Sequence, residues 1–236
     1  MFKELLMKKF LVIGNPIEHS LSPTLHNYWI KNNGIDANYE KQKLNESELE
    51  QIIEDIKKEK INGVNVTVPF KKVIIPFLDE LSVEAEKTQS VNTLYLKNKK
   101  VVGHNTDIIG FQTSIEKSTY DVVNKKVLIL GAGGVVPSII FALNKMKVSK
   151  IIISNRTKEK AQSLKKDFKN IEIIEWGEVS NFDMIINATS IGLKEDDNIK
   201  LNFSSISGNK FFYDVIYNPS ETNFLKIGKK LGNKTL

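Results

Sequence analysis

The 236-residue chain contains no cysteine, which excludes disulfides, thiol nucleophiles and cysteine-bound zinc. Its three histidines, His19, His26 and His104, lack metal-ligand spacing, so no metal centre is expected. No apolar run approaches the roughly 18 residues of a membrane span. The stretch Phe10–Gly14 is too short for a signal-peptide core and runs straight into Asn15 and Pro16. These absences predict a cytoplasmic protein without a membrane partner. Arginine is almost absent too: Arg156 is the only one, so a planar, bidentate, permanently charged donor occurs at a single place. The net charge of +6 is carried by lysines scattered through nearly every segment, with no basic stripe and no interleaved aromatics, and no nucleic-acid partner is expected.

What is present is an ordinary globular composition, long enough for one large domain or two small ones. In the first half, strand-like and helix-like segments alternate. Phe10–Gly14 reads as a strand, and Ser22-Pro23 as the N-cap and first position of a helix to about Lys31. Ala37–Lys41 reads as a strand, and Leu49, Ile52, Ile53 and Ile56 have the spacing of an amphipathic helix over Ser47–Lys58. Gly63–Val68 reads as a strand stopped by Pro69, and Leu94–Leu96 with Val101-Val102 as a hairpin. Asp107–Lys117 reads as a linking helix. Beyond it the pattern is βαβ: apolar Val127–Leu130, a glycine turn, a helix over Val135–Met146, then strands at Ile151–Ile153, Ile171–Ile174, Met184–Asn187 and Phe211–Val215. The expected fold class is α/β, with two lobes joined near residue 107.

Gly131, Gly133 and Gly134 lie between an apolar strand and a helix, where backbone amides can approach a pyrophosphate. The strict G-x-G-x-x-G spacing fails, because Val136 holds the third position. An NAD site usually has an acid about 20 residues beyond the first glycine. Here that stretch is Ser154-Asn155-Arg156-Thr157, without an acid and with the sole arginine. A guanidinium and a hydroxyl would hold a 2′-phosphate that a carboxylate would repel, so NADP is expected, with Lys160 adding charge. Four polar clusters, Asn15–Ser22, Asn65–Lys71, Ser90–Thr93 and Gly103–Asp107, fall at predicted strand ends, where α/β proteins place ligands.

The motifs GNPIEHSLSPTLHN (Gly14–Asn27), NVTVPFK (Asn65–Lys71), SVNTL (Ser90–Leu94), HNTDIIG (His104–Gly110), GAGG (131–134), NRT (155–157), NATSIG (Asn187–Gly192) and YNPSET (Tyr217–Thr222) occur in the order found in shikimate dehydrogenases. From about residue 10 onward the chain resembles that family. The resemblance implies residues 1–107 as a substrate-binding and catalytic domain and 108–236 as a Rossmann-type, doubly wound NADP-binding domain. It implies reduction of 3-dehydroshikimate to shikimate by NADPH, a step of aromatic amino-acid biosynthesis. Ser20 and Ser22 would bind the substrate carboxylate. Asn65, Thr67, Asn92 and Asp107 would hold ring hydroxyls, and Tyr217 would line the site. Lys71 would be the acid–base group, with Asp107 beside it. Gly131, Ala132, Gly133, Gly134, Val135, Asn155, Arg156, Thr157, Lys160, Thr189 and the backbone at Val215 would bind NADP. Chemistry supports the Lys71–Asp107 pair: hydride transfer to a ketone builds negative charge on oxygen, which an ammonium stabilises and then protonates. The histidines are given no chemistry.

Members of the family continue for a few dozen residues beyond the point matching Leu236, through a substrate-contacting glutamine and a helix that returns to the first lobe. The expectation is that this segment is missing here. The rivals are a quinate/shikimate dehydrogenase using NAD, a methylenetetrahydrofolate dehydrogenase and a catalytically silent NADP-binding sensor. The stretch around Arg156 argues against the first. The double-serine and NVTVPFK motifs argue against the second, and retention of every polar group argues against the third. A small-molecule substrate is the expected partner, and a homodimer stays open as the assembly.

Overall fold

A computed structural model describes residues 7–203, 206 and 208–236, and the chain divides between Asp107 and Ile108 into two compact units. The first carries strands β1 (Lys8–Gly14), β2 (Ala37–Lys43), β3 (Gly63–Val66), β4 (Glu80–Leu81), β5 (Thr93–Lys97) and β6 (Lys100–His104). Its helices are α1 (Ser22–Asn32), α2 (Leu49–Lys57), the single turn α3 (Phe70–Val73) and α4 (Val83–Thr88). The six strands form one mixed sheet in the order β2-β1-β3-β5-β6-β4. β1 runs parallel to β2 and β3, whereas β5 pairs antiparallel with β3 and β6. The β5–β6 turn holds Asn98 and Lys99 at positive φ, the twist that suits a two-residue hairpin.

One face of this sheet is covered by α2, whose Leu49, Ile52, Ile53 and Ile56 are all buried among Leu11, Ile13, Val64, Val66 and Leu94. Each such side chain contributes about 2 kcal/mol by leaving water. The opposite face holds Val12, Ile17 and Tyr39, packed with Phe10 and Ile30. Helix α1, by contrast, buries no residue fully, and Leu25, Tyr28 and Trp29 are exposed.

Several boundaries differ from expectation by one or two residues, and two of these bear on the site. Helix α1 begins at Ser22, with Leu21 in the capping position and no side-chain cap; the Ser20 hydroxyl instead accepts the Ser22 N–H at 3.3 Å. Ser22 is therefore the first helical residue and not the cap. β3 ends at Val66, two residues early, because the Thr67 carbonyl already accepts the Phe70 N–H in the turn that launches α3.

The second unit begins within α5 (Asp107–Lys117), whose Ile108, Phe111 and Ile115 are part of its core. Its strands are β7 (Lys126–Leu130), β8 (Lys150–Ser154), β9 (Ile171–Ile174), β10 (Met184–Asn187), β11 (Phe211–Asp214) and β12 (Lys234–Thr235). Its further helices are α6 (Val136–Lys145), α7 (Lys158–Asp167) and α8 (Asn223–Lys230). All neighbouring strands are parallel, in the order β12-β11-β10-β7-β8-β9. This is a doubly wound Rossmann-type sheet, whose order reverses between β7 and β10. Its two faces are separate cores, one centred on Val127, Ile129, Ile139, Ile140 and Ile186, the other on Leu128, Ile185, Phe212 and Phe224. That burial on both faces explains why these strands read as unbroken apolar runs. No helix among the described residues is long and apolar enough to cross a membrane.

Candidate active site

In the first unit the polar clusters meet at the ends of β3, β5 and β6. β3 is a central strand with Val64 and Val66 buried in the core, which turns Asn65 to the other face. The chain then turns through Thr67 into α3, and Lys71 leaves that turn with its Nζ 2.7 Å from Asp107 Oδ2. Their side chains are only 12% and 22% exposed, so the pair is mostly withdrawn from water while an edge stays open. The Lys71 carbonyl accepts the Val91 N–H at 2.8 Å, tying α3 to the segment that leads into β5.

Asp107 is held from its other oxygen. Asn92 Nδ2 donates to Asp107 Oδ1 at 2.8 Å and to Thr106 Oγ1 at 2.8 Å, while Asn92 Oδ1 accepts the Thr106 N–H at 2.9 Å and the Thr93 hydroxyl at 3.0 Å. The Asp107 N–H donates to Asn105 Oδ1 at 3.0 Å, and buried Asn105 donates to the Ser90 carbonyl at 2.8 Å. Asn92, expected to hold a ring hydroxyl, stands beside Asp107 and orients it, with both amide hydrogens engaged. Asn65 belongs to the same network, donating to the Asn92 carbonyl at 3.3 Å and to Thr93 Oγ1 at 3.2 Å. Thr67, Ser20 and Ser22 are half-buried in the same unit. The loop bearing the serines is pinned by Glu18, which accepts the Ile17 N–H at 3.0 Å and pairs with Lys43 at 3.1 Å. Backbone donors, with Lys43, hold the Glu18 carboxyl down at about 2.

Two further participants had been assigned no role. Tyr39 donates its hydroxyl to Asn65 Oδ1 at 2.6 Å, and Thr93 bridges Asn65 and Asn92. A tyrosine on an otherwise polar strand was the available signal, since a buried phenol seeks a partner.

The second unit carries the glycine turn. Gly131 has φ +111°, and a Cβ there would lie 2.8 Å from the Ala188 carbonyl oxygen, so only glycine lets the turn pack against the end of β10. At Gly133 the equivalent Cβ would meet nothing nearer than 3.9 Å, leaving the backbone approachable. Ala132 and Val135 are half-buried beside it, and α6 starts at Val136 with no side-chain cap; the Val136 N–H donates to the Gly133 carbonyl at 3.0 Å and Pro137 has none, so what this end offers an anion is the helix dipole and the backbone of the glycine turn. At the end of β8, Asn155 donates to the Thr157 carbonyl at 2.7 Å and shapes the turn. Arg156, Thr157 and Lys160 are exposed, and the Arg156 guanidinium has no partner among the described residues. Lys158 is already paired with Glu175. A helix N-terminus behind an open glycine cradle, and a guanidinium without a partner among the described residues, fit a dinucleotide bearing an extra phosphate.

Thr189 and Val215 lie on the loops after β10 and β11, and one buried knot holds both. Asn187 Nδ2 donates to both Asp214 oxygens at 3.1 Å, Asn187 Oδ1 accepts the Thr189 hydroxyl at 2.7 Å, and the Thr222 hydroxyl donates to Asp214 Oδ2 at 2.7 Å. The Val215 N–H donates to the Asn187 carbonyl at 3.1 Å. Tyr217, three residues past β11, is 68% exposed.

Comparison with known proteins gives one answer for both units. Residues 12–94 match a shikimate dehydrogenase substrate binding domain, and residues 113–199 match a shikimate/quinate 5-dehydrogenase model. A shikimate dehydrogenase (NADP(+)) of Pelagibacter ubique is 66% identical over 97% of this chain and 86% of that protein. The crystal structure of shikimate dehydrogenase from Aquifex aeolicus aligns with TM-score 0.91 at 39% identity, over all of this chain and 88% of that one. That of Thermus thermophilus shikimate 5-dehydrogenase, in complex with NADP(H) and shikimate, aligns with TM-score 0.88 at 28% identity, covering 98% and 87%. With two family models meeting this chain in its two units, and so near a relative, the chain belongs to the shikimate dehydrogenase family.

Proposed function

We propose that this protein catalyses the reversible, NADPH-dependent reduction of 3-dehydroshikimate to shikimate, within aromatic amino-acid biosynthesis. The observation that carries the mechanism is the Lys71–Asp107 contact of 2.7 Å, braced by Asn92 on the second carboxylate oxygen. NADPH, when bound, supplies the hydride. Lys71 stabilises the negative charge that grows on the substrate oxygen and gives that oxygen its proton; in the oxidative direction it takes the proton back. Asp107 fixes the ammonium at the reacting oxygen, so that no reorientation is needed in the transition state. Ser20 and Ser22 hold the substrate carboxylate, Asn65 and Thr67 take ring hydroxyls, and Tyr217 lines the substrate.

For the cofactor, Gly131 to Val135 and the start of α6 would hold the pyrophosphate. Asn155, Arg156, Thr157 and Lys160 would hold the 2′-phosphate, and Thr189 and Val215 the nicotinamide end. Residues 1–107 thus serve the substrate and 108–236 the cofactor. We place the protein in the cytoplasm as a homodimer; mass measurement by light scattering tests the assembly, and a monomer would remove that part.

The direct test is NADPH oxidation with 3-dehydroshikimate, run beside NADH and, in reverse, beside quinate. Turnover with NADPH and shikimate is expected to dominate; preference for NADH and quinate would replace this assignment with the quinate enzyme. Arg156→Ala should raise the KM for NADPH by roughly 10- to 100-fold, the worth of hydrogen bonds to a charged group, and leave NADH kinetics within about twofold. Equal losses with both cofactors would remove Arg156 from the 2′-phosphate site.

A further inference from the structure

Tyr39 touches the candidate site from an edge strand and has no part in the reaction as derived so far. It is the one fully buried residue of β2, 4% exposed among neighbours that mostly face water. Its place is fixed from α1 in two ways. Asn27 clamps its backbone, Nδ2 donating to the Tyr39 carbonyl at 2.8 Å and Oδ1 accepting the Tyr39 N–H at 3.0 Å. His26 stacks flat on its ring, with centroids 4.2 Å apart and planes 3° from parallel. So held, the phenol donates to Asn65 Oδ1 at 2.6 Å. Burial raises the Tyr39 pKa, and the Ser22 side chain offsets part of that rise.

We propose that Tyr39 is a positioning residue for the substrate, locking the Asn65 amide in one orientation. The lock has a chemical consequence. Both Asn65 amide hydrogens point at protein acceptors, the Asn92 carbonyl at 3.3 Å and Thr93 Oγ1 at 3.2 Å. What Asn65 keeps for a ligand is the second lone pair of Oδ1. Asn65 therefore recognises a group that donates, a ring hydroxyl, and rejects a carbonyl or ether at the same place. Burial keeps the phenol protonated throughout the working pH range, so the donor that sets this polarity does not switch off.

This inference rests on the proposed function, and shikimate oxidation at saturating NADP+ by the full chain tests it. Tyr39→Phe keeps the ring, its stack on His26 and its packing, and removes one hydroxyl. The expected result is a KM for shikimate raised roughly 5- to 20-fold, the worth of a neutral hydrogen bond at a site left poorly oriented. kcat and the KM for NADP+ should stay within about twofold, and the melting midpoint within a few degrees. In an Asn65→Ala background, adding Tyr39→Phe should change the shikimate KM by less than about twofold, because the two residues act as one unit. An unchanged KM in Tyr39→Phe, losses that multiply in the double variant, or a fall in kcat with the KM of both substrates and the melting midpoint would overturn the assignment. Wild-type protein that turns over shikimate beside an indifferent Tyr39→Phe leaves the function standing and removes only this role. Wild-type protein that neither binds nor oxidises shikimate removes both.

Discussion

Lys71→Ala is expected to lower kcat by about a thousandfold, the usual range for loss of a positioned acid–base group, while shikimate binding stays within a few-fold of wild type. The split follows from geometry. The ammonium spends one hydrogen on Asp107 Oδ2 and keeps two for a ligand, and its charge matters most when negative charge has grown on the reacting oxygen. On the proposed assignment other groups hold shikimate in the ground state, the serines and Asn65 among them. Lys71→Arg should not rescue turnover, because a planar guanidinium cannot occupy the place of a compact ammonium 2.7 Å from one carboxylate oxygen. Asp107→Asn is a second probe. With Asn92 Nδ2 donating on one side and Lys71 Nζ on the other, an amide in place of the carboxylate must set its own N–H groups against one of these donors. A loss of roughly 100-fold in kcat is expected. Steady-state kinetics paired with calorimetric shikimate binding measure both, and Lys71→Ala turning over within tenfold of wild type would end the assignment.

The reach of the sequence can be judged from individual elements. β7, the glycine turn and α6 are legible because a strand buried on both faces must be wholly apolar and the turn must admit Gly131 at positive φ. α2 is legible from its four-residue apolar stripe. α7 is not, since only Ala161 and Leu164 of its ten residues are buried, too few to set a period. β4 and β12 are two residues each and exist only by pairing with β6 and β11. Lys71 and Asp107 stand 36 residues apart, and no spacing rule joins them. Their contact depends on β3 and β6 both flanking β5 in the sheet, a fact of tertiary pairing. Tyr39 escaped for the opposite reason: ANYEKQK reads as a solvated strand, and the demand of one phenol for an acceptor shows only once Asn65 is placed beside it.

Asp214→Ala is expected to cost about 3 kcal/mol, on the order of 10 °C in melting midpoint, and to weaken NADPH more than shikimate. Asp214 is 8% exposed and accepts from Asn187 Nδ2, the Thr222 hydroxyl and the Ile216 N–H, the last at 3.0 Å. Alanine would leave these donors facing a cavity, and Asn187 Nδ2 would keep only its bond to the Ile191 carbonyl at 3.0 Å. The damage spreads to function because the same knot sets the loops bearing Thr189 and Val215 and the start of α8, where Thr222 accepts the Leu225 N–H. Asp214→Asn should rescue only in part, since its N–H groups would oppose those of Asn187. The pH dependence has a defined sign. Burial raises the Asp214 pKa against the pull of Thr222, Ile216 and Asn187, so the folded state binds this proton more tightly than the unfolded chain. Its contribution to stability therefore falls as pH rises from the ordinary carboxylate range through the raised value. Thermal melts of wild type and Asp214→Ala should accordingly differ more in mild acid than at neutrality, where the buried charge offsets part of what its hydrogen bonds supply. A gap that narrows on acidification would mean that the hydrogen bonds outweigh burial at this carboxylate.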